Sequence, residues 1–160
     1  MKFAFVLTLR IAILGVPLLG SLQASAAGDL AQFRESASLA LVEIGLRDVP
    51  EGAYACVSVD DRLPSDEQLA AFRALHLRDV GGPGACVCVD GDPVGSCTRV
   101  ETGQKACVVS VRAFELQSTE HASAELLVLC GWPNGGGQFA DFEKRDGQWR
   151  YVGARTYIKL

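Results

Sequence analysis

The sequence predicts an α+β domain in which two N-terminal helices pack on a curled, mainly antiparallel sheet, and three observations lead there. Apolar residues recur at helical spacing in two early segments. Gly81-Gly82-Pro83-Gly84 then breaks the chain. Beyond that break, apolar and polar residues alternate as in strands, with turn residues between the runs.

The elements follow in order. Residues 1–27 read as an export leader: Lys2 and Arg10 without an acid, an apolar run over 11–22, then the small residues Ala24-Ser25-Ala26. That run is shorter than the roughly 20 residues a spanning helix needs, so no membrane insertion is expected once the leader is removed. The remaining residues 28–160 are one domain by length, periplasmic or secreted. Leu30, Phe33, Ala37, Leu41 and Ile44 predict a helix over 30–47, with Asp29 as N-cap and Pro50 and Gly52 ending it. Residues 53–59 predict a strand. Ser65 and Gln68 form a capping box for a second helix, whose buried stripe is Leu69, Phe72 and Leu75. Six strands are expected near 85–90, 96–100, 105–116, 122–132, 138–144 and 148–158. Asp146-Gly147, flanked by Phe142 and Trp149, is the clearest hairpin turn, because Asp-Gly accommodates positive φ angles.

Six cysteines in an exported chain predict up to three disulfides. Cys86 and Cys88 lie two apart on one strand face, where a direct bond would be badly strained. A turn near Ser118-Thr119 sets Cys107 opposite Cys130, and a turn near Asp92-Pro93 sets Cys88 opposite Cys97, leaving Cys56 and Cys86. A Thr102-Gly103 turn would instead bring Cys97 level with Cys107. The chemical alternative is a thiol or metal site at Cys86-Val87-Cys88, but structural zinc sites space their cysteines two to four apart and add a second pair or histidines.

Formal charge is −4, with 15 basic and 19 acidic residues. Loss of Lys2 and Arg10 with the leader would make it −6. No basic stripe remains, which argues against nucleic acid as a partner and leaves a cationic protein as a suitable one.

No catalytic constellation stands out, and no cofactor is implied. His76 suits a helix C-terminus. His121 lies near Ser123 without the Gly-x-Ser-x-Gly elbow of a hydrolase. Asp60-Asp61 reads as loop charge, and Asp90-Gly91-Asp92 lacks the further ligands of a calcium loop. Gly135-Gly136-Gly137 reads as a loop before a strand, not as a phosphate cradle. Trp132, Phe139, Trp149 and Tyr151 would line an apolar pocket if the sheet curls.

The order helix, strand, helix and long strands, closing on Phe142-Glu143-Lys144-Arg145-Asp146-Gly147-Gln148-Trp149-Arg150-Tyr151-Val152, resembles the roll of nuclear-transport-factor-two-like and cystatin-like domains. With Thr102-Gly103 before a long strand, it also resembles small exported bacterial proteins of unknown function. The resemblance implies an α+β roll. Enzymes of that family carry an acid, a histidine or a tyrosine in the mouth of the roll, and no position here matches them. The expectation is therefore a non-catalytic binding or interaction module of the cell envelope, taking a small apolar ligand or a cationic protein. Its rivals are an enzyme using His121, Asp60 or Asp61 in the mouth of the roll, and a thiol- or metal-handling protein.

Overall fold

The computed structural model describes residues 18–76, 80–89, 96–130 and 135–159. Helix α1 spans Leu18–Asp48, longer than the segment its apolar spacing marks. Its core-facing side chains are Phe33, Ala37, Leu41, Val42 and Leu46, all fully buried. Asp29 lies within the helix instead of capping it, and its carboxylate meets Lys144 Nζ at 2.7 Å. Strand β1 (Tyr54–Val59) leads to α2 (Asp66–His76), which opens on the predicted capping box. The Gln68 N–H donates to Ser65 Oγ at 3.2 Å, and the Ser65 N–H donates to Gln68 Oε1 at 3.0 Å. Six further strands follow β2 (Val80–Gly81): β3 (Cys86–Cys88), β4 (Cys97–Arg99), β5 (Lys105–Leu116), β6 (His121–Leu129), β7 (Gly135–Arg145) and β8 (Gln148–Lys159).

This architecture overturns the expected layout of two N-terminal helices on a mainly antiparallel sheet. More of the described chain is strand than helix, and the eight strands form one mixed sheet with the central order β2-β1-β5-β6-β7-β8. Strand β1 lies parallel to β2 on one side and parallel to β5 on the other. For β2 the physical reason is the α2 crossover: a strand that returns through a helix re-enters the sheet in the same direction. The returning strand β2 is two residues long and includes Gly81, so it leaves no period to read. Strands β5 to β8 form an antiparallel meander. Gly135, Gly136 and Gly137, read as a loop, pair with Leu129, Val128 and Leu127 inside β7.

Both helices cover one face of the sheet. The core there joins Phe33 and Leu41 of α1 and Phe72 of α2 to alternate residues of β1, β5, β6 and β7. Gly45 permits the close approach of α1, since a Cβ there would stand 2.7 Å from Val109 Cγ1. Phe33 is the hub, with ring centroids 5.3 Å from Phe142, 5.1 Å from Trp149 and 6.0 Å from Phe114.

The opposite face is divided. At one end the β3–β4 hairpin folds over Tyr54, Cys56 and Ala106 and forms a second small core. Over the rest, no described helix lies on the strands. This open region holds the candidate site.

Three disulfides fix these layers, and they use all six cysteines. Cys56–Cys86 ties β1 to the hairpin, Cys88–Cys97 crosses the hairpin, and Cys107–Cys130 joins β5 to the residue after β6 inside the main core. In the hairpin, Thr98 faces Lys105 and Cys97 faces Ala106, so Cys97 is level with Cys88 and one residue out of step with Cys107. With every thiol bridged, Cys86 and Cys88 offer no thiolate to a metal. Three disulfides suggest an oxidising compartment outside the cytoplasm. Among the described residues, no helix is long and apolar enough to cross a membrane.

Candidate functional site

Arg112, Glu125 and Phe139 stand side by side on β5, β6 and β7, and Arg155 of β8 completes the row. Because side chains alternate along a strand, all four point away from the helices, opposite to Val111, Ala124, Leu126 and Ala140 of the core. Tyr157 joins them from a register shift in β8, where Gly137 faces Ile158 but Gln138 faces Thr156. Its ring lies across Gly137, where an added Cβ would stand 2.4 Å from the ring, so a larger residue there would lift it.

The Arg112 guanidinium grips the Glu125 carboxylate with a fork: Nε donates to Oε2 at 2.7 Å and Nη2 donates to Oε1 at 3.3 Å. The Tyr157 hydroxyl donates to Oε1 of the same carboxylate in a short hydrogen bond. On the far side of Phe139, Arg155 holds Asp141 in a second fork at 3.3 and 3.1 Å. Between the two ion pairs lie the rings of Phe139 and Tyr157, with centroids 4.9 Å apart and 41% and 45% exposed. Glu125 itself is buried beneath them.

Backbone strain gathers beside Arg112. Ala113 adopts φ 54° where β5 and β6 slip register after Arg112, and such a bulge re-aims neighbouring side chains. Asp60 and Asp61, at φ 51° and 56°, form the tight turn Val59-Asp60-Asp61-Arg62, closed by reciprocal Val59 and Arg62 backbone hydrogen bonds. The Asp60 N–H donates to the Val111 carbonyl, which docks this turn against β5. The two carboxylates then part. Asp60 meets Arg34 of α1 at 2.9 Å, while Asp61 adds its charge to the field around Arg112.

These contacts set the proton affinities. The hydrogen bond from Arg112 holds the Glu125 carboxyl below its usual range, against burial, and Tyr157 adds to the lowering. Arg112 is raised in turn, chiefly by its hydrogen bond to Glu125. The Tyr157 phenol is pushed up, first by burial of its hydroxyl end and then by Glu125.

The lowered Glu125 contributes stability that is full above its unfolded value of about 4.3 and is lost as pH falls through the lower folded value. The raised Tyr157 acts in the opposite direction: its contribution is full below about pH 10 and is lost as pH rises through the higher folded value. Urea unfolding measured from pH 3 to 7 in the wild type and in Glu125→Gln is expected to separate by about 1 kcal/mol near neutrality, the scale of an ion pair with one exposed partner, and to converge at the acid end. Parallel curves would overturn this assignment.

The residues singled out from sequence are dispersed by the fold. Trp149 is a core residue against Phe33, and Tyr151 is half-exposed against Phe142. Phe139 stands on the opposite face of the sheet, and Trp132 lies outside the described residues. The three described aromatics therefore share no single cavity wall. His121 opens β6 about 13 Å along the strand from Glu125, at roughly 3.3 Å per residue. His76 ends α2, with its side chain outside the described residues, as is Asp90-Gly91-Asp92. No group of three or more metal-ligating side chains occurs among the described residues.

The Arg112–Glu125–Tyr157 cluster was not singled out from the sequence. Its signal was present nonetheless: Arg112 and Glu125 are charges in the middle of the strands 105–116 and 122–132, and the hairpin register that opposes Cys107 to Cys130 also opposes these two. No family model, curated protein or solved structure matches this chain, so the resemblance to nuclear-transport-factor-two-like and cystatin-like rolls rests on the quoted residues alone.

Proposed function

We propose that the protein is an exported binding module, periplasmic or secreted once residues 1–27 are removed, and that it recognises its target on the helix-free face of β5 to β8. One observation carries this reading: two exposed rings, flanked on each side by a guanidinium–carboxylate fork, form a continuous surface across four strands. Exposed aromatics and arginines are the side chains that dominate recognition surfaces. The space between the sheet and α1 is filled by Phe33, Phe142 and Trp149, which favours an outer surface over an internal apolar ligand. The paired charges hold the side chains of that surface in place, which lowers the entropic cost of binding.

The test is amide chemical-shift mapping of the disulfide-intact protein against solubilised envelope fractions. Shifts are expected to cluster on Arg112, Glu125, Phe139, Arg155 and Tyr157, and to vanish in a Phe139→Ala, Arg155→Ala double variant that melts normally. Shifts confined to α1 or to the β3–β4 hairpin would overturn the assignment.

A further inference from the structure

Resting on that reading, we propose that the ligand of this face is an uncharged oligosaccharide of β-linked, gluco-configured sugars. Arg112 and Arg155 are each already held by a carboxylate in a two-pronged contact, and Asp61 adds a further negative charge near Arg112. An anionic ligand would meet no net positive field, because a carboxylate already offsets each guanidinium. A cationic ligand would compete with two guanidiniums fixed in place. A neutral polyol meets neither obstacle. Its hydroxyl groups accept from the outward N–H groups of Arg155, whose side chain is 70% exposed, and donate to the unused lone pairs of Asp141.

The rings supply the second half. Phe139 and Tyr157 pack against each other, with centroids 4.9 Å apart and planes tilted by 36°, and stay 41% and 45% exposed, which leaves aromatic surface on the outer face. In a β-linked, gluco-configured chain the ring hydrogens are axial and the hydroxyl groups and glycosidic bonds equatorial, so a flat chain presents an apolar C–H face bordered by polar groups, whereas an α-linkage is axial at C1 and turns the chain away from a flat sheet face. That pattern complements exposed ring surface edged by hydrogen-bonding forks. Tyr157 is held to its place by Glu125 and by the glycine beneath it, so its ring is pre-set for stacking.

The experiment titrates the disulfide-intact protein with cellohexaose, the N-acetylglucosamine hexamer and maltohexaose, following intrinsic fluorescence and amide shifts. Sedimentation with insoluble cellulose and chitin distinguishes a polymer surface from a soluble oligomer. Saturable binding of a β-linked hexamer is expected, with shifts on Phe139 and Tyr157. Phe139→Ala is expected to weaken it by about tenfold, while Tyr157→Phe, which keeps the ring, weakens it less. Phe139 is partly exposed, so its truncation leaves the core intact, and a melting curve verifies this. Tight binding of maltohexaose alone, or of a polyanion such as heparin, would overturn the proposal. Absence of any saccharide binding while envelope fractions still shift this face would overturn the ligand class and leave the binding-module reading standing. Absence of shifts on this face with every probe would sink both.

Discussion

Truncation of Phe33 to alanine is expected to remove about 4 kcal/mol of stability, the usual scale for deleting a buried aromatic ring. Phe33 is fully buried and meets three other rings, from β5, β7 and β8, so its loss opens a cavity where the long helix, the meander and the final hairpin join. Those elements are held by strand pairing and by Lys144–Asp29, so they cannot collapse freely into the gap. Urea unfolding is the measurement. Leu39→Ala on the same helix, at a position 36% exposed, is the control and is expected to change stability by less than about 0.5 kcal/mol. A Phe33→Ala loss below about 1 kcal/mol would show that the rings repack, contrary to a rigid core.

Reduction of the disulfides is expected to have a larger effect. The three bridges span 30, 9 and 23 residues, and the loops follow one another along the chain without nesting. On the chain-entropy model each is worth about 3 kcal/mol, and separate loops add, giving about 9 kcal/mol. A domain of this size has a total stability of roughly 5–15 kcal/mol, so the reduced and alkylated protein is expected to lose its near-ultraviolet circular dichroism and its cooperative melting. A cooperative transition surviving within a few degrees of the oxidised protein would show that the core folds without the bridges. The same dependence ties the fold to an oxidising compartment, since a reducing one would remove most of the margin.

Much of the secondary structure was legible because it depends on local chemistry. The capping box at Ser65 and Gln68, the helical spacing from Phe33 to Leu41 and the Asp146-Gly147 turn each act within a few residues, and the structure holds all three. Hairpin register was legible for the same reason, since a turn of known position fixes which residues face each other. That is why Cys88 with Cys97 and Cys107 with Cys130 could be drawn from the chain. The remaining pair, Cys56 with Cys86, followed only by elimination: it crosses from β1 to a hairpin laid over the sheet, and no local rule places that hairpin.

The helical spacing of α1, the alternation of the long strands, the Asp146-Gly147 turn and the cysteine-rich, oxidising character are written in the chain. These depend on neighbours in sequence and on cysteine count. Tertiary structure set the parallel pairing of β1 with β2 and β5: the two-residue β2 carries no period and takes its direction from the α2 crossover, and β5 reaches β1 only after the intervening β3–β4 hairpin. It alone decided which aromatics fill the core and which stand exposed, separating Trp149 from Phe139. It alone brought Tyr157 to Glu125, across 32 residues, through a register shift and a glycine that leaves room for the ring. Bulges and close approaches of this kind are set by what packs against a strand, and that information is spread over the whole fold instead of residing in any one segment.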